Sequence, residues 1–260
     1  MVAYLQWAAG VVAVAYAVAA FYAWQYSDGL IFLPPPPTYP AGADLLAIPT
    51  ADGGTLAARY LPYPEARYTL IDFHGNAEDL GQVEPHLREL RDRLGVAVLA
   101  WDYRGYGRSG GQPGEPATLR DACAVAAYAT RTLGVPPDRL VLYGWSLGGG
   151  PAVEVAASQP CAGLVLHSAF TSAFRVMTRI RLLPFDKFDN LAKLPHVTCP
   201  VLVIHGMDDR TIPFGHGRRL YTAAPGSKYK LWVEGAGHND LIEIAGEDYW
   251  RTLREFIAGL

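Results

Sequence analysis

Gly144-Trp145-Ser146-Leu147-Gly148 sets one hydroxyl between two glycines. A short apolar run, Leu140 to Tyr143, precedes it, and a small-residue helical run follows to about Ser158. Strand, sharp turn, helix is the context in which a G-x-S-x-G pattern becomes a nucleophile elbow. The turning serine sits in a strained conformation, and side chains two positions either side would collide as strand and helix close up. Such a turn exposes the hydroxyl at a helix N-terminus, where free N–H groups favour developing negative charge. The chain carries its own control. Gly107-Arg108-Ser109-Gly110-Gly111 also fits the pattern, but neither a strand nor a helix touches it, so Ser109 reads as a loop residue.

A hydroxyl attacks only if a base takes its proton, and the base is normally a histidine oriented by a carboxylate. On a strand–turn–helix scaffold of this kind the chain order is Ser, then acid, then His, each at the C-terminal end of a strand. Asp208 and Asp209 follow the apolar run Val201 to His205. Asp209 is the candidate acid, and Asp208 reads as a turn residue that satisfies local N–H groups. Two histidines lie beyond them. His216 begins a helical stretch and reads as structural, whereas His238 lies in Gly235-Ala236-Gly237-His238-Asn239-Asp240, a loop after the last strand. An acyl-transfer oxyanion needs two preorganised N–H donors. The backbone of Leu147 is one candidate, and the backbone of Asn76, in His74-Gly75-Asn76-Ala77 after the third strand, is the other. His74 and His167 read as bracing groups, and Asp102 to Gly107 as a hydrogen-bonded turn. The histidines and cysteines lack ligand spacing, and no phosphate loop or dinucleotide motif opens a helix, so neither metal nor cofactor is expected.

These residues need a scaffold, and the chain predicts one. Strands are expected at Leu45–Pro49, Thr55–Leu61, Tyr68–Phe73, Val96–Trp101, Leu140–Tyr143, Ala162–His167, Val201–His205 and Tyr229–Val233. Ala51-Asp52-Gly53-Gly54 turns the first two into a hairpin. Helices are expected with Leu80, Val83, Leu87, Leu90 and Leu94 on one face, and over Thr118–Leu133, Phe214–Thr222 and Asp240–Ala258. The alternation implies an α/β domain with a mostly parallel sheet covered on both faces and an antiparallel N-terminal edge. Residues 171–197 read as an irregular, short lid, which leaves the pocket relatively open.

The 260 residues are 50% hydrophobic and 18% charged, with a net charge of −3 and no basic block, which excludes an electrostatic footprint for nucleic acid. Met1 to Ser27 holds no Asp, Glu, Lys or Arg. A run of 18 or more apolar residues reads as a membrane-spanning helix, with Tyr4 and Trp7 at one end and Phe21, Tyr22, Trp24 and Tyr26 at the other as interfacial belts. A signal peptide fits less well, because there is no basic n-region and the run is too long. A core helix fits less well still, because no polar stripe is present. The expected organisation is an anchor over 1–27, a Pro-rich linker over 28–42 and a catalytic domain over 43–260. With no Lys or Arg before Arg59, only the α-amino group and Asp28 distinguish the two sides, which slightly favours an inside N-terminus. Of the three cysteines, Cys123 reads as a buried small hydrophobe. Cys161 and Cys199 each precede a strand, and come within disulfide reach if those strands are parallel neighbours.

Six stretches together carry a resemblance: Phe73-His74-Gly75-Asn76-Ala77, Asp102 to Ser109, Gly144 to Gly149, Pro184-Phe185-Asp186-Lys187-Phe188, Pro200 to Gly206 and Leu231 to Asp240. From about Leu45 onward the chain resembles single-pass α/β-hydrolase-domain proteins, the group that includes the animal depalmitoylating hydrolases. The resemblance implies the α/β-hydrolase fold and Ser146, Asp209 and His238 as the triad. Those animal proteins carry a Cys-rich, lipidated N-terminus, whereas this chain has its first cysteine at 123 and an apolar run instead.

The expected activity is therefore hydrolysis of an ester or thioester through an acyl-enzyme on Ser146, at a membrane, on a small-molecule or lipid substrate. A peptidase acting on short peptides is the rival within enzymes. An acidic cluster in the lid would favour it, but the lid instead carries Arg175, Arg179 and Arg181. A silent binding module on the same fold is the rival from another class, and a complete triad in the correct order argues against it.

Overall fold

In the computed structural model, residues 1–40 and 44–260 are described, so the expected boundary between linker and catalytic domain at 42/43 lies outside them. Helix α1 (Val2–Ile31) is the apolar N-terminal run. It continues past the expected end at Ser27, because a single charge does not stop a helix. The Asp28 carboxylate finds partners on the domain, Lys187 Nζ at 3.0 Å and the Glu115 N–H at 3.4 Å, and the Asp28 carbonyl accepts the Phe32 N–H that closes the helix. The proline-rich stretch after it is docked rather than free. Thr38 N–H donates to Asp79 at 2.7 Å, and the buried Tyr39 hydroxyl donates to Asp102.

Eight strands form one sheet: β1 (Leu46–Pro49), β2 (Thr55–Leu61), β3 (Thr69–Phe73), β4 (Ala97–Trp101), β5 (Leu140–Trp145), β6 (Gly163–His167), β7 (Val201–Gly206) and β8 (Lys228–Val233). Their order is β1-β2-β4-β3-β5-β6-β7-β8. Pairs β1·β2 and β2·β4 are antiparallel and the rest parallel, as the hairpin and the alternation imply. The inner strands β3 to β7 are buried on both faces, which is why they read as unbroken apolar runs rather than alternating ones. Helices α2 (Leu80–Leu94), α3 (Glu115–Arg131) and α4 (Gly149–Ser158) cross between the central strands. Asp79 caps α2 in a reciprocal capping box with Gln82, so the chain leaving the Asn76 loop has a fixed helix start.

The lid is less irregular than the sequence implies, since α5 (Ala173–Thr178) and α6 (Asn190–Lys193) form inside it. Beyond β7, α7 (Gly215–Ala223) covers the sheet. The expected terminal helix is two helices, α8 (Leu241–Ala245) and α9 (Glu247–Ala258). Gly246, at φ 52°, breaks it, and only glycine takes that backbone conformation without strain. Cys123 is half-buried on α3 rather than buried, its sulfur 3.8 Å from Ser158 Oγ on α4.

Strands β6 and β7 are parallel neighbours, and the free thiols of Cys161 and Cys199 lie 3.3 Å apart. The Cys161 S–H donates to Cys199, which raises the pKa of the donor and lowers that of the acceptor. Mild oxidation with diamide is expected to join these two and leave Cys123 alone to be alkylated, as counted by mass. Alkylation of all three after oxidation would contradict it.

Candidate active site

Strand β5 ends at Trp145, and a single 3₁₀ turn, Ser146–Gly148, joins it to α4. Ser146 has φ 51°, a left-handed conformation that is costly for a residue with a Cβ and persists only where its surroundings enforce it. The glycines around it allow the close approach. A Cβ on Gly144 would lie 2.5 Å from the Gly148 carbonyl oxygen and 2.8 Å from Gly149 Cα. A Cβ on Gly148 would fall on the Phe73 carbonyl, so α4 starts in direct backbone contact with the end of β3.

His238, on the loop after β8, reaches the serine with Nε2 3.0 Å from Ser146 Oγ. Its Nδ1 lies 2.7 Å from Asp209 Oδ2. An ionised carboxylate only accepts, so Nδ1 carries the proton and Nε2 is left to accept from the hydroxyl. Asp209 is buried, and its other oxygen accepts the N–H groups of Thr211 at 2.9 Å and Ile212 at 2.7 Å. Those are the local N–H groups assigned to Asp208 from sequence. Asp208 is instead exposed, and the chain turns so that the deeper carboxylate caps its own loop. Burial lowers the pKa of the neighbouring His205, whose Nε2 donates to the Ile212 carbonyl at 2.8 Å and lies 3.5 Å from Asp209 Oδ2.

Asn76 and Leu147 border the same cleft as Ser146 and His238, a space of about 540 Å3. The Asn76 side chain braces its own loop against the end of α1. Nδ2 donates to the Ile31 carbonyl at 2.5 Å, and Oδ1 accepts from Tyr106 Oη at 2.6 Å, Ala77 N at 3.0 Å and Leu33 N at 3.1 Å. The end of α1 is thereby tied to the loop that follows β3. His74 is a bracing group, as expected. Burial lowers its pKa to about 4, and Nδ1 donates to the Gly75 carbonyl at 2.7 Å. Ser109 is structural too, donating to the Asp102 carbonyl at 2.6 Å and accepting from Ala57 N at 2.9 Å. His216 accepts from the Thr171 N–H at 3.2 Å, and His167 lies 2.7 Å from the Tyr143 hydroxyl, both buried outside the Ser146–His238–Asp209 line.

Three features of the cleft escaped the sequence. Ile31 and Leu33, from the segment read as anchor and linker, form part of its wall. Tyr106, read as a turn residue, braces Asn76. Glu78 places a carboxylate in the cleft, where its oxygen accepts the Gly75 N–H at 3.0 Å and burial raises its pKa. A lone Glu before a helix start looks like a solvated residue, and nothing local marks it otherwise. Among the described residues, no group of three or more His, Cys, Asp or Glu is arranged to hold a metal ion.

Comparison with known proteins bears on this geometry. The family model described as "Serine aminopeptidase, S33" matches residues 64–188. Alpha/beta hydrolase domain-containing protein 17B of Xenopus laevis is 38% identical over 212 residues, covering 80% of this chain and 73% of that protein. The chain belongs to that α/β-hydrolase family. Protein 17C of Mus musculus is 42% identical over 198 residues, 75% of this chain and 61% of the mouse protein. The match thus spans about three fifths of the mouse relative. Among solved structures, an esterase from Pyrococcus furiosus superposes with a TM-score of 0.73 at 17% identity, over 88% of the hydrolase and 98% of the esterase. A monoacylglycerol lipase from Paleococcus ferrophilus gives 0.63 at 23% identity, over 78% and 98%. At such identities the likeness establishes the fold, an eight-stranded, mostly parallel α/β-hydrolase sheet.

Proposed function

We propose that the hydrolase cleaves carboxylic ester or thioester bonds through an acyl-enzyme on Ser146, while α1 holds it at a membrane. The observation that carries this is the hydrogen-bonded line Ser146–His238–Asp209 at the wall of a largely apolar cleft. His238 takes the serine proton as Oγ attacks the carbonyl carbon, then returns it to the departing alcohol or thiol. Asp209 keeps Nδ1 protonated and stabilises the imidazolium. The backbone N–H groups of Leu147 and Asn76 hold the oxyanion. Water then attacks the acyl-enzyme by the same relay. A bilayer role for α1 is supported by its 30 residues and by an 18-residue stretch within it of mean hydropathy 1.7, whose side chains are left in the open.

Glu78 favours a second reading. A carboxylate beside the nucleophile suits a substrate ammonium, as in an aminopeptidase, and the matched family is described by that activity. Against it, the lid carboxylates are already engaged: Asp186 accepts from Ser172 Oγ at 2.7 Å and Phe174 N at 2.9 Å, and Asp189 caps α6. Parallel assays with p-nitrophenyl butyrate, a butyryl thioester and alanyl-p-nitroanilide separate the two. The ester reading expects turnover of the first two and little of the third. Preferred turnover of the anilide, abolished by Glu78→Gln, would overturn it.

A further inference from the structure

A second groove, of about 310 Å3, runs between the C-terminal half of α1 and the lid. Ala23, Ser27 and Leu30 form one wall, and Phe174, Ile180 and Leu183 the other. The groove and the catalytic cleft share Ile31, Ala173 and Met177, so the two spaces adjoin. The wall that α1 supplies is fixed to the domain. Asp28 pairs with Lys187, Tyr16 Oη donates to the Leu182 carbonyl at 2.9 Å, and Phe32 is buried against Phe188 and Tyr106.

The groove's chemistry narrows its occupant. Its one carboxylate, Asp186, is spent on Ser172, Phe174 and the Lys187 N–H, its one guanidinium, Arg181, on the Leu183 and Pro184 carbonyls, and apart from the Ser27 and Thr178 hydroxyls the lining is apolar. A peptide there would bury N–H and C=O groups without partners, which is unfavourable. An aliphatic chain meets no such cost. The groove's height narrows it further. Thirty helical residues span ~45 Å, whereas ~20 cross the hydrocarbon. With the aromatic residues Phe21 to Tyr26 at the interface, Ala23 to Ile31 lie at headgroup level. The Tyr16 contact holds the lid tip against α1, and that tip exposes Met177 (85%) and Ile180 (63%) beside two exposed arginines, Arg179 and Arg181, whose charges suit lipid headgroups. Exposed apolar side chains flanked by arginines, in line with an apolar helix, are suited to a lipid surface.

We propose that this groove holds the aliphatic chain of a bilayer-resident ester or thioester substrate, so that α1 is one wall of the substrate site as well as an anchor. The proposal rests on the hydrolase reading above. The substrate's tail enters from the bilayer between α1 and the lid, passes Met177 and Ala173, and brings its carbonyl to Ser146.

The test uses the full chain in phosphatidylcholine proteoliposomes, with p-nitrophenyl acetate and p-nitrophenyl dodecanoate as substrates. Filling the groove with Ala23→Phe or Ile180→Trp is expected to lower the dodecanoate-to-acetate ratio of kcat/KM by about tenfold or more. An unchanged ratio in both variants overturns the proposal. A second arm does not need turnover. In Ser146→Ala protein, a diazirine-bearing dodecanoic acid is expected to crosslink to Ala23–Ile31 and Phe174–Leu183. Adducts confined to the preceding part of α1, as for any bilayer lipid, overturn the groove. A wild type that turns over no ester, and takes up no fluorophosphonate, removes the hydrolase reading, and the crosslinking pattern still decides the groove.

Discussion

Asp209→Asn is expected to keep the fold and lower kcat for p-nitrophenyl butyrate by about four orders of magnitude. The reason is tautomeric. The asparagine can still accept the Thr211 and Ile212 N–H groups through its carbonyl, so the loop after β7 keeps its shape. Its amide, however, can donate to Nδ1 of His238, which moves the imidazole proton to Nε2 and points a donor at the Ser146 hydroxyl. The nucleophile then has no base. Steady-state kinetics with a matched melting curve separate this from unfolding. A loss smaller than about tenfold in a folded variant would mean that Asp209 orients nothing that matters to the reaction.

Gly148→Ala acts through sterics rather than protons, and its effect on stability is expected to be the largest of any single methyl added to the site. The new Cβ would occupy the position of the Phe73 carbonyl oxygen and crowd that of His74. Both are backbone groups at the end of a fully buried central strand, so neither can rotate away. Relief requires α4 to lift from β3, which separates Ser146 from the Asn76 loop. Overpacking of this kind costs about 1–3 kcal/mol where side chains can yield, and more where backbone meets backbone. Denaturant melts of Gly148→Ala should therefore show a loss of about 3 kcal/mol or more, with ester hydrolysis lost alongside. Gly134→Ala is the contrasting case, since no atom lies within 4 Å of its added Cβ and only the backbone strain of φ 71° opposes it.

The elbow was legible because its steric demands are written locally. Two glycines flank the serine, and a strand-length run leads into it. The candidate acid and base were legible from order and position at strand ends, and the structure brings His238 within hydrogen-bond reach of Ser146 and Asp209 within reach of His238. A mostly parallel sheet with an antiparallel edge was implied by the strand–helix alternation and the hairpin, but the order in which β3 and β4 sit was not. The remainder depended on contacts between segments far apart in the chain. Asn76 looked like a backbone donor on a free loop, yet its side chain ties together Ile31, Leu33 and Tyr106, up to 45 residues away. No local pattern encodes that bracket. The continuation of α1 to Ile31 was hidden for a related reason. Its last turn is stabilised by Lys187, which lies in the lid. Glu78 was invisible because a carboxylate is recognised as buried only once the walls around it are known.

The central claim is that Ser146 is an activated nucleophile, and labelling with a fluorophosphonate probe tests it most directly. The full-length hydrolase in a membrane-mimetic is predicted to take up one probe, located by mass to the peptide carrying Ser146, with no label on Ser109. Labelling should vanish in Ser146→Ala and fall steeply in His238→Ala. An unlabelled wild type, or equal labelling of wild type and Ser146→Ala, would contradict the account.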